Sequence, residues 1–215
     1  MTVGPTRAVV FDMDGVLVDS GAHHRDAWRA MFRDARLTAP AEFWRLTIGR
    51  PADEAVALLV EGIDRTEARR LAEVKRAHYA RLARRGTVAV AGAPAFVKAL
   101  ARQGVPRAVA TSATRRDLER VLDELGLRRY FEVVVTADDV RWGKPNPEVY
   151  LRAAAGLGLD PSACLVFEDA LVGVQAARAA GMRVIGVATS HTREELVAAG
   201  AERALLDFEG VQWPV

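Results

Sequence analysis

The stretch Ala8-Val9-Val10-Phe11-Asp12-Met13-Asp14-Gly15 sets the reading of the chain: four apolar residues, two aspartates one residue apart, then a glycine. A short apolar run ending in a polar turn marks a strand buried on both faces, the kind found in parallel sheets. The same texture returns at Ala108-Val109-Ala110, Val133-Val134-Val135, Leu165-Val166-Phe167 and Val184-Ile185-Gly186-Val187, with helix-like segments between. Strands alternating with helices build βαβ units, so the expected fold is α/β, with a doubly wound parallel-sheet core. Helix starts are also legible. Thr114 with Asp117, and Thr192 with Glu195, have capping-box spacing, and Asn146-Pro147 reads as an N-cap followed by proline at the first helical position.

One interval breaks the alternation. Residues 21–85 separate the first strand from the next and hold no strand-like run. Trp28, Met31, Phe32 and Ala35 recur at helical spacing, as do Val56, Leu59, Val60 and Ile63, and an Arg-rich helix is expected from Thr66 to Arg84. The expected organisation is therefore a core of residues 1–20 and 86–215 with a small inserted α-helical domain at 21–85. A length of 215 residues suits one core with an accessory piece.

Composition narrows the function. A 50% hydrophobic and 27% charged chain is that of a soluble globular protein. No apolar stretch approaches the ~20 residues of a membrane span, and Met1–Arg7 lack the pattern of a secretory leader, so a cytoplasmic protein without a membrane partner is expected. Cys164, the single cysteine, cannot form an internal disulfide and reads as a small buried hydrophobe. The net charge is only +2, with acidic residues interleaved among basic ones, which argues against a nucleic-acid partner. Only three of the 30 basic residues are lysines, Lys75, Lys98 and Lys144, which draws attention to each.

Open α/β sheets bind ligands beyond the carboxyl ends of their strands. There the sequence places Asp12 and Asp14, Thr111-Ser112, and Glu168-Asp169, with Lys144 ahead of the helix near Pro147. Singly these are commonplace turns and caps; together on one rim they suit metal-assisted phosphoryl transfer. Asp12 is placed to attack phosphorus as a carboxylate nucleophile, and Asp14 to protonate the leaving oxygen and later activate water. Asp12 and Asp169, with the Asp14 backbone carbonyl, offer the oxygen ligands Mg²⁺ prefers, and Glu168 joins them directly or through a neighbour. Lys144 would offset anionic repulsion, and Thr111 would hold phosphoryl oxygens.

These segments resemble the haloacid dehalogenase superfamily, in the branch with a helical cap inserted after its first motif. Residues Val9 to Ser20 are similar to the first motif, Thr111-Ser112 to the second, Gly143 to Tyr150 to the third, and Val166 to Ala170, with Gly173 and Gly181-Met182, to the fourth. The resemblance spans essentially the whole chain. It implies a Rossmann-like core, a cap that closes over substrate, Mg²⁺ as cofactor and an aspartyl-phosphate on Asp12. The superfamily's dehalogenases lack the second aspartate of the first motif, so Asp14 favours phosphoryl chemistry on a small, sugar-like phosphomonoester. The β-phosphoglucomutases of the branch are the alternative, and a non-catalytic sugar-phosphate sensor a third reading, which the presence of Asp12, Asp14, Lys144 and Asp169 disfavours. His24 and Lys75 fall where the mutases carry a cap histidine and lysine. The mutases' phosphate-gripping arginine, three residues after a cap-loop glycine, corresponds here to Ala52, with Arg50 displaced by two. Ser112, His24, Lys75, Arg50 and Arg115 are thus the expected substrate contacts, and a monomer or weak homodimer the expected state.

Overall fold

The computed structural model describes residues 6–84 and 86–215. Met1–Pro5, and with them most of the segment read for a leader, lie outside the described residues, as does Arg85. Among the described residues, six parallel strands form one sheet: β1 (Ala8–Phe11), β2 (Arg107–Ala110), β3 (Val133–Val135), β4 (Cys164–Glu168), β5 (Arg183–Val187) and β6 (Arg203–Leu205), in the order β3-β2-β1-β4-β5-β6. The chain leaves β1 toward one side for β2 and β3, then crosses back to β4 on the other. The carboxyl end of β1 is therefore the point where strand order reverses, the ligand crevice of doubly wound sheets.

Alternation along each strand sorts the core into two layers. Val9, Phe11, Val109, Leu165, Phe167, Ile185 and Val187 face α5 (Ala93–Arg102) and α6 (Arg115–Glu124). Beneath Asp12, Phe11 stacks on Phe167 at 5.4 Å, and Phe96 and Phe208 close the aromatic cluster. On the other face Ala8, Val10, Ala108, Ala110 and Val166 admit α7 (Glu148–Gly156), α8 (Leu171–Ala179) and α9 (Arg193–Ala198). Small residues on that face let the helices lie close.

Between β1 and α5 lie four helices, α1 (Gly21–Asp34), α2 (Phe43–Thr47), α3 (Ala52–Leu59) and α4 (Arg65–Ala83), around their own apolar cluster of Trp28, Met31, Phe32, Phe43, Val56 and Leu71. Two elements were absent from the sequence reading. The α2 helix has only five residues, too few to show a period. The β6 strand is a half-exposed three-residue edge, Arg203-Ala204-Leu205, without an apolar run. Helix starts shift in detail. Thr192 and Glu195 form the full capping box. Thr114 accepts from the Asp117 amide, but the Asp117 carboxylate takes the Thr114 hydroxyl, so only half of that box forms. Asn146 caps the Glu148 amide at 3.0 Å, with Pro147 one residue ahead of the helix.

Candidate active site

Asp12 leaves β1 with its amide donating to the Phe167 carbonyl at 3.0 Å, which locks it between β1 and β4. Lys144 reaches in from the loop before α7. Its ammonium donates to Asp12 Oδ1 at 2.7 Å, Glu168 Oε1 at 2.6 Å and the Ala110 carbonyl at 3.3 Å, so all three of its donors are used. Lys144 is 1% exposed and Glu168 0%. The Tyr150 hydroxyl donates to Glu168 Oε1 at 2.9 Å, and the Ala170 amide to Glu168 Oε2 at 2.8 Å. Glu168 thus orients Lys144 and the loop after β4 more than it faces the cleft.

Burial pushes the Asp12 carboxyl up to about 8; Lys144 pulls it down while Glu168 and Asp14 push it further up. Burial disfavours the Lys144 charge, yet Asp12 and Glu168 outweigh it and hold the ammonium well above its ordinary range. Burial, then Glu168 and Asp12, push Asp169 well above its usual value. Carboxylate oxygens of Asp12, Glu168 and Asp169 lie within 4.8 Å of one another, all buried. One ammonium does not balance three ionised carboxylates out of water, and a hard, oxygen-seeking divalent cation would supply the missing charge. The donor set fits such an ion. Gly15 completes the cradle: at φ +76° it adopts the left-handed backbone, and a Cβ there would fall 2.0 Å from Asp169 Oδ2.

Asp14 points away from that group. Its Oδ1 accepts from Ser20 Oγ at 2.5 Å and lies 3.2 Å from His24 Nε2, off the axis of a hydrogen bond. Ser20 stands at the N-cap of α1 but gives its hydroxyl to Asp14 instead of capping the helix. Burial raises the Asp14 carboxyl, but His24 and Ser20 outweigh it and hold it below the usual range. Behind His24, Lys75 Nζ lies 2.7 Å from Nδ1, between the faces of Trp28 (5.4 Å) and Tyr79 (5.1 Å). An ammonium only donates, so Nδ1 accepts and the ring presents Nε2–H toward Asp14. Burial brings Lys75 down to about 8 and lowers His24 as well.

The remaining expected residues divide. Thr111 lines the cleft, and its Oγ1 accepts from the Ala113 amide at 3.1 Å. Ser112 lines it too, but its hydroxyl donates to the Gly49 carbonyl of the helical insertion at 2.8 Å, so it docks the insertion on the core. Arg50 sits on the cleft wall beside Gly49, with Ala52. Arg115 does not line the cleft. It pairs with Asp139 at 2.6 Å, while Arg116 and Arg120, on the neighbouring face of α6, line the cleft. The structure thus pairs Arg115, expected to meet substrate, with Asp139, while its neighbour Arg116 is among the residues lining the cleft. Ser20 and the run Thr189-Ser190-His191 were also missed. The latter follows β5 after Ala188, so the rule applied to the ends of β1, β2 and β4 would have found it.

The sequence pattern of haloacid dehalogenase-like hydrolases matches residues 6–181. The chain is 36% identical over 208 residues, 97% of each protein, to validoxylamine A 7'-phosphate phosphatase of Streptomyces hygroscopicus subsp. limoneus. It is 34% identical over 201 residues, 90% of this chain and 91% of the other, to the phosphorylated carbohydrates phosphatase of Thermotoga maritima. A crystal structure of a hydrolase from Pseudomonas syringae superposes with a TM-score of 0.86 over 92% of each chain at 28% identity. The chain belongs to the haloacid dehalogenase-like hydrolases. Named phosphatases are among its relatives, and no helix among the described residues is long and apolar enough to cross a membrane.

Proposed function

We propose that the chain is a Mg²⁺-dependent phosphatase that hydrolyses a small phosphorylated sugar or polyol through an aspartyl-phosphate on Asp12. The observation that carries this reading is the buried Lys144 ammonium shared between Asp12 and Glu168, with Asp169 in the same oxygen cluster and Asp14 poised two residues beyond Asp12. Asp12 and Asp169, with the Asp14 backbone carbonyl, would hold Mg²⁺, which supplies positive charge between an anionic nucleophile and an anionic phosphate.

In the first step an Asp12 oxygen attacks phosphorus and the bond to the sugar oxygen breaks. That oxygen leaves with the proton of Asp14. In the second step Asp14 takes a proton from water as the water oxygen attacks phosphorus, and the Asp12–phosphate bond breaks to release inorganic phosphate. Asp14 rests ionised, held down by His24 and Ser20. The acid step needs Asp14 in its protonated form, and a phosphate dianion arriving beside it would raise its carboxyl in that direction. Lys144 keeps Asp12 aimed, Thr111 and nearby amides hold phosphoryl oxygens, and the insertion acts as a cap at residues 21–85. The cleft of about 2070 Å³ has room for a carbohydrate beyond the phosphate, with His24, Lys75 and Arg50 facing it.

The test is phosphate release from a panel of sugar phosphates, polyol phosphates, phosphoglycolate and nucleotides, with and without chelator. Release confined to sugar and polyol phosphates, lost on chelation and restored by Mg²⁺, is expected. Conversion of β-glucose 1-phosphate to glucose 6-phosphate faster than phosphate appears would establish the mutase reading instead. Asp14→Asn is expected to slow hydrolysis of a sugar phosphate by about 10²- to 10⁴-fold, the range of general acid–base catalysis. It is expected to slow p-nitrophenyl phosphate less, because that leaving group needs little protonation; equal losses would rule out an acid role for Asp14.

A further inference from the structure

Residues 188–191 join the end of β5 to the N-cap of α9, and both ends of this loop are pinned. The Ala188 amide donates to the Leu205 carbonyl at 2.8 Å, and Thr192 and Glu195 close their capping box. Between the pins, three consecutive polar side chains turn toward the loop after β4. The Thr189 hydroxyl donates to the Gly15 carbonyl at 2.6 Å and lies 3.5 Å from Asp169 Oδ2. Ser190 lines the cleft beside Asp169. His191, buried at 8% exposure, brings Nδ1 to 2.9 Å from the Asp169 main-chain carbonyl. A carbonyl only accepts, so His191 keeps its proton on Nδ1. Asp169 is thus gripped through main chain and side chain by the loop of a third strand. The same loop ties down Gly15, where an added Cβ would fall 2.0 Å from Asp169 Oδ2.

We propose that Thr189 and His191 are positioning residues that hold Asp169 in its cation-binding orientation, making the loop after β5 a third part of the metal site. This rests on the reading of Asp169 as a metal ligand. A ligand that must be ordered as the cation arrives binds it more weakly than one held in place beforehand, and partners that orient a ligand characteristically contribute 10- to 100-fold in affinity. Neither residue touches the reacting atoms, so their effect belongs in cation affinity.

Calorimetric titration of the full chain with MgCl₂ tests this without turnover. Thr189→Val and His191→Leu, which remove the donors, are each expected to weaken Mg²⁺ binding roughly 10- to 100-fold. Thr189→Ser and His191→Asn keep a donor near the same place and are expected to bind close to wild type. Thr189 is exposed, so its valine variant retains the fold and carries the test even where the leucine variant melts early in chelator. Unchanged Mg²⁺ affinity in both donor-free variants would overturn the proposal alone. Unchanged affinity in Asp169→Asn would overturn the metal-ligand reading beneath it, and the proposal with it.

Discussion

Asp12→Asn is expected to leave the fold intact and to lower turnover by roughly 10⁴-fold or more, the scale reached when the nucleophile of a covalent mechanism is removed. The two side chains have nearly the same volume, and the amide oxygen can still accept the Lys144 hydrogen bond that Asp12 Oδ1 accepts. What disappears is the negative charge that the proposed mechanism directs at phosphorus. That charge is itself expensive to bury, as the raised Asp12 carboxyl records. The variant should therefore melt in chelator no lower than wild type while releasing almost no phosphate. Turnover within tenfold of wild type would remove Asp12 from the chemistry.

Lys144→Met is expected to produce the largest loss of stability. Methionine fills the buried space, but Asp12 and Glu168 then face each other without a counter-charge, and only the Tyr150 hydroxyl and the Ala170 amide still serve Glu168. Removing one partner of a buried ion pair costs about 3–5 kcal/mol, because the charge left behind stays out of water. Denaturant unfolding in chelator measures it. The double variant Lys144→Met with Asp12→Asn should recover part of the loss, since one of the two stranded anions is gone. Strictly additive effects would mean that the ammonium and Asp12 are not coupled as their geometry implies.

Much of this was legible in sequence because parallel strands buried on both faces leave compact apolar runs, and the rim chemistry sits immediately after them. Ala8–Phe11 and Leu165–Phe167 announce both the sheet and the carboxylates that follow. The edge strand at Arg203–Leu205 left no such trace, because an edge buried on few sides needs no apolar run. Side-chain direction was equally hidden. Arg115 and Arg116 are indistinguishable by composition, and only the phase of α6 sends one to Asp139 and the other to the cleft. Nor does the sequence show that Ser112, which lines the cleft, also donates to the Gly49 carbonyl 63 residues away. Pairings across such separations depend on how the insertion sits on the sheet, which local spacing does not encode.

The placement of β1 between β2 and β4 also bears on the time course of folding. Val9 pairs with Arg107, and Val10 with Val166, so the first strand made has both its neighbours far down the chain. The four helices that follow β1 satisfy their own contacts early, as local structure does, whereas closing loops of this span is slow. During synthesis the helical unit forms while β1 is still an unpaired apolar strand, open to association with other chains. Asp12 at its end is paired through Lys144 and the carboxylates at the end of β4, which come 132 or more residues later, so the proposed site is assembled among the last parts of the nascent chain.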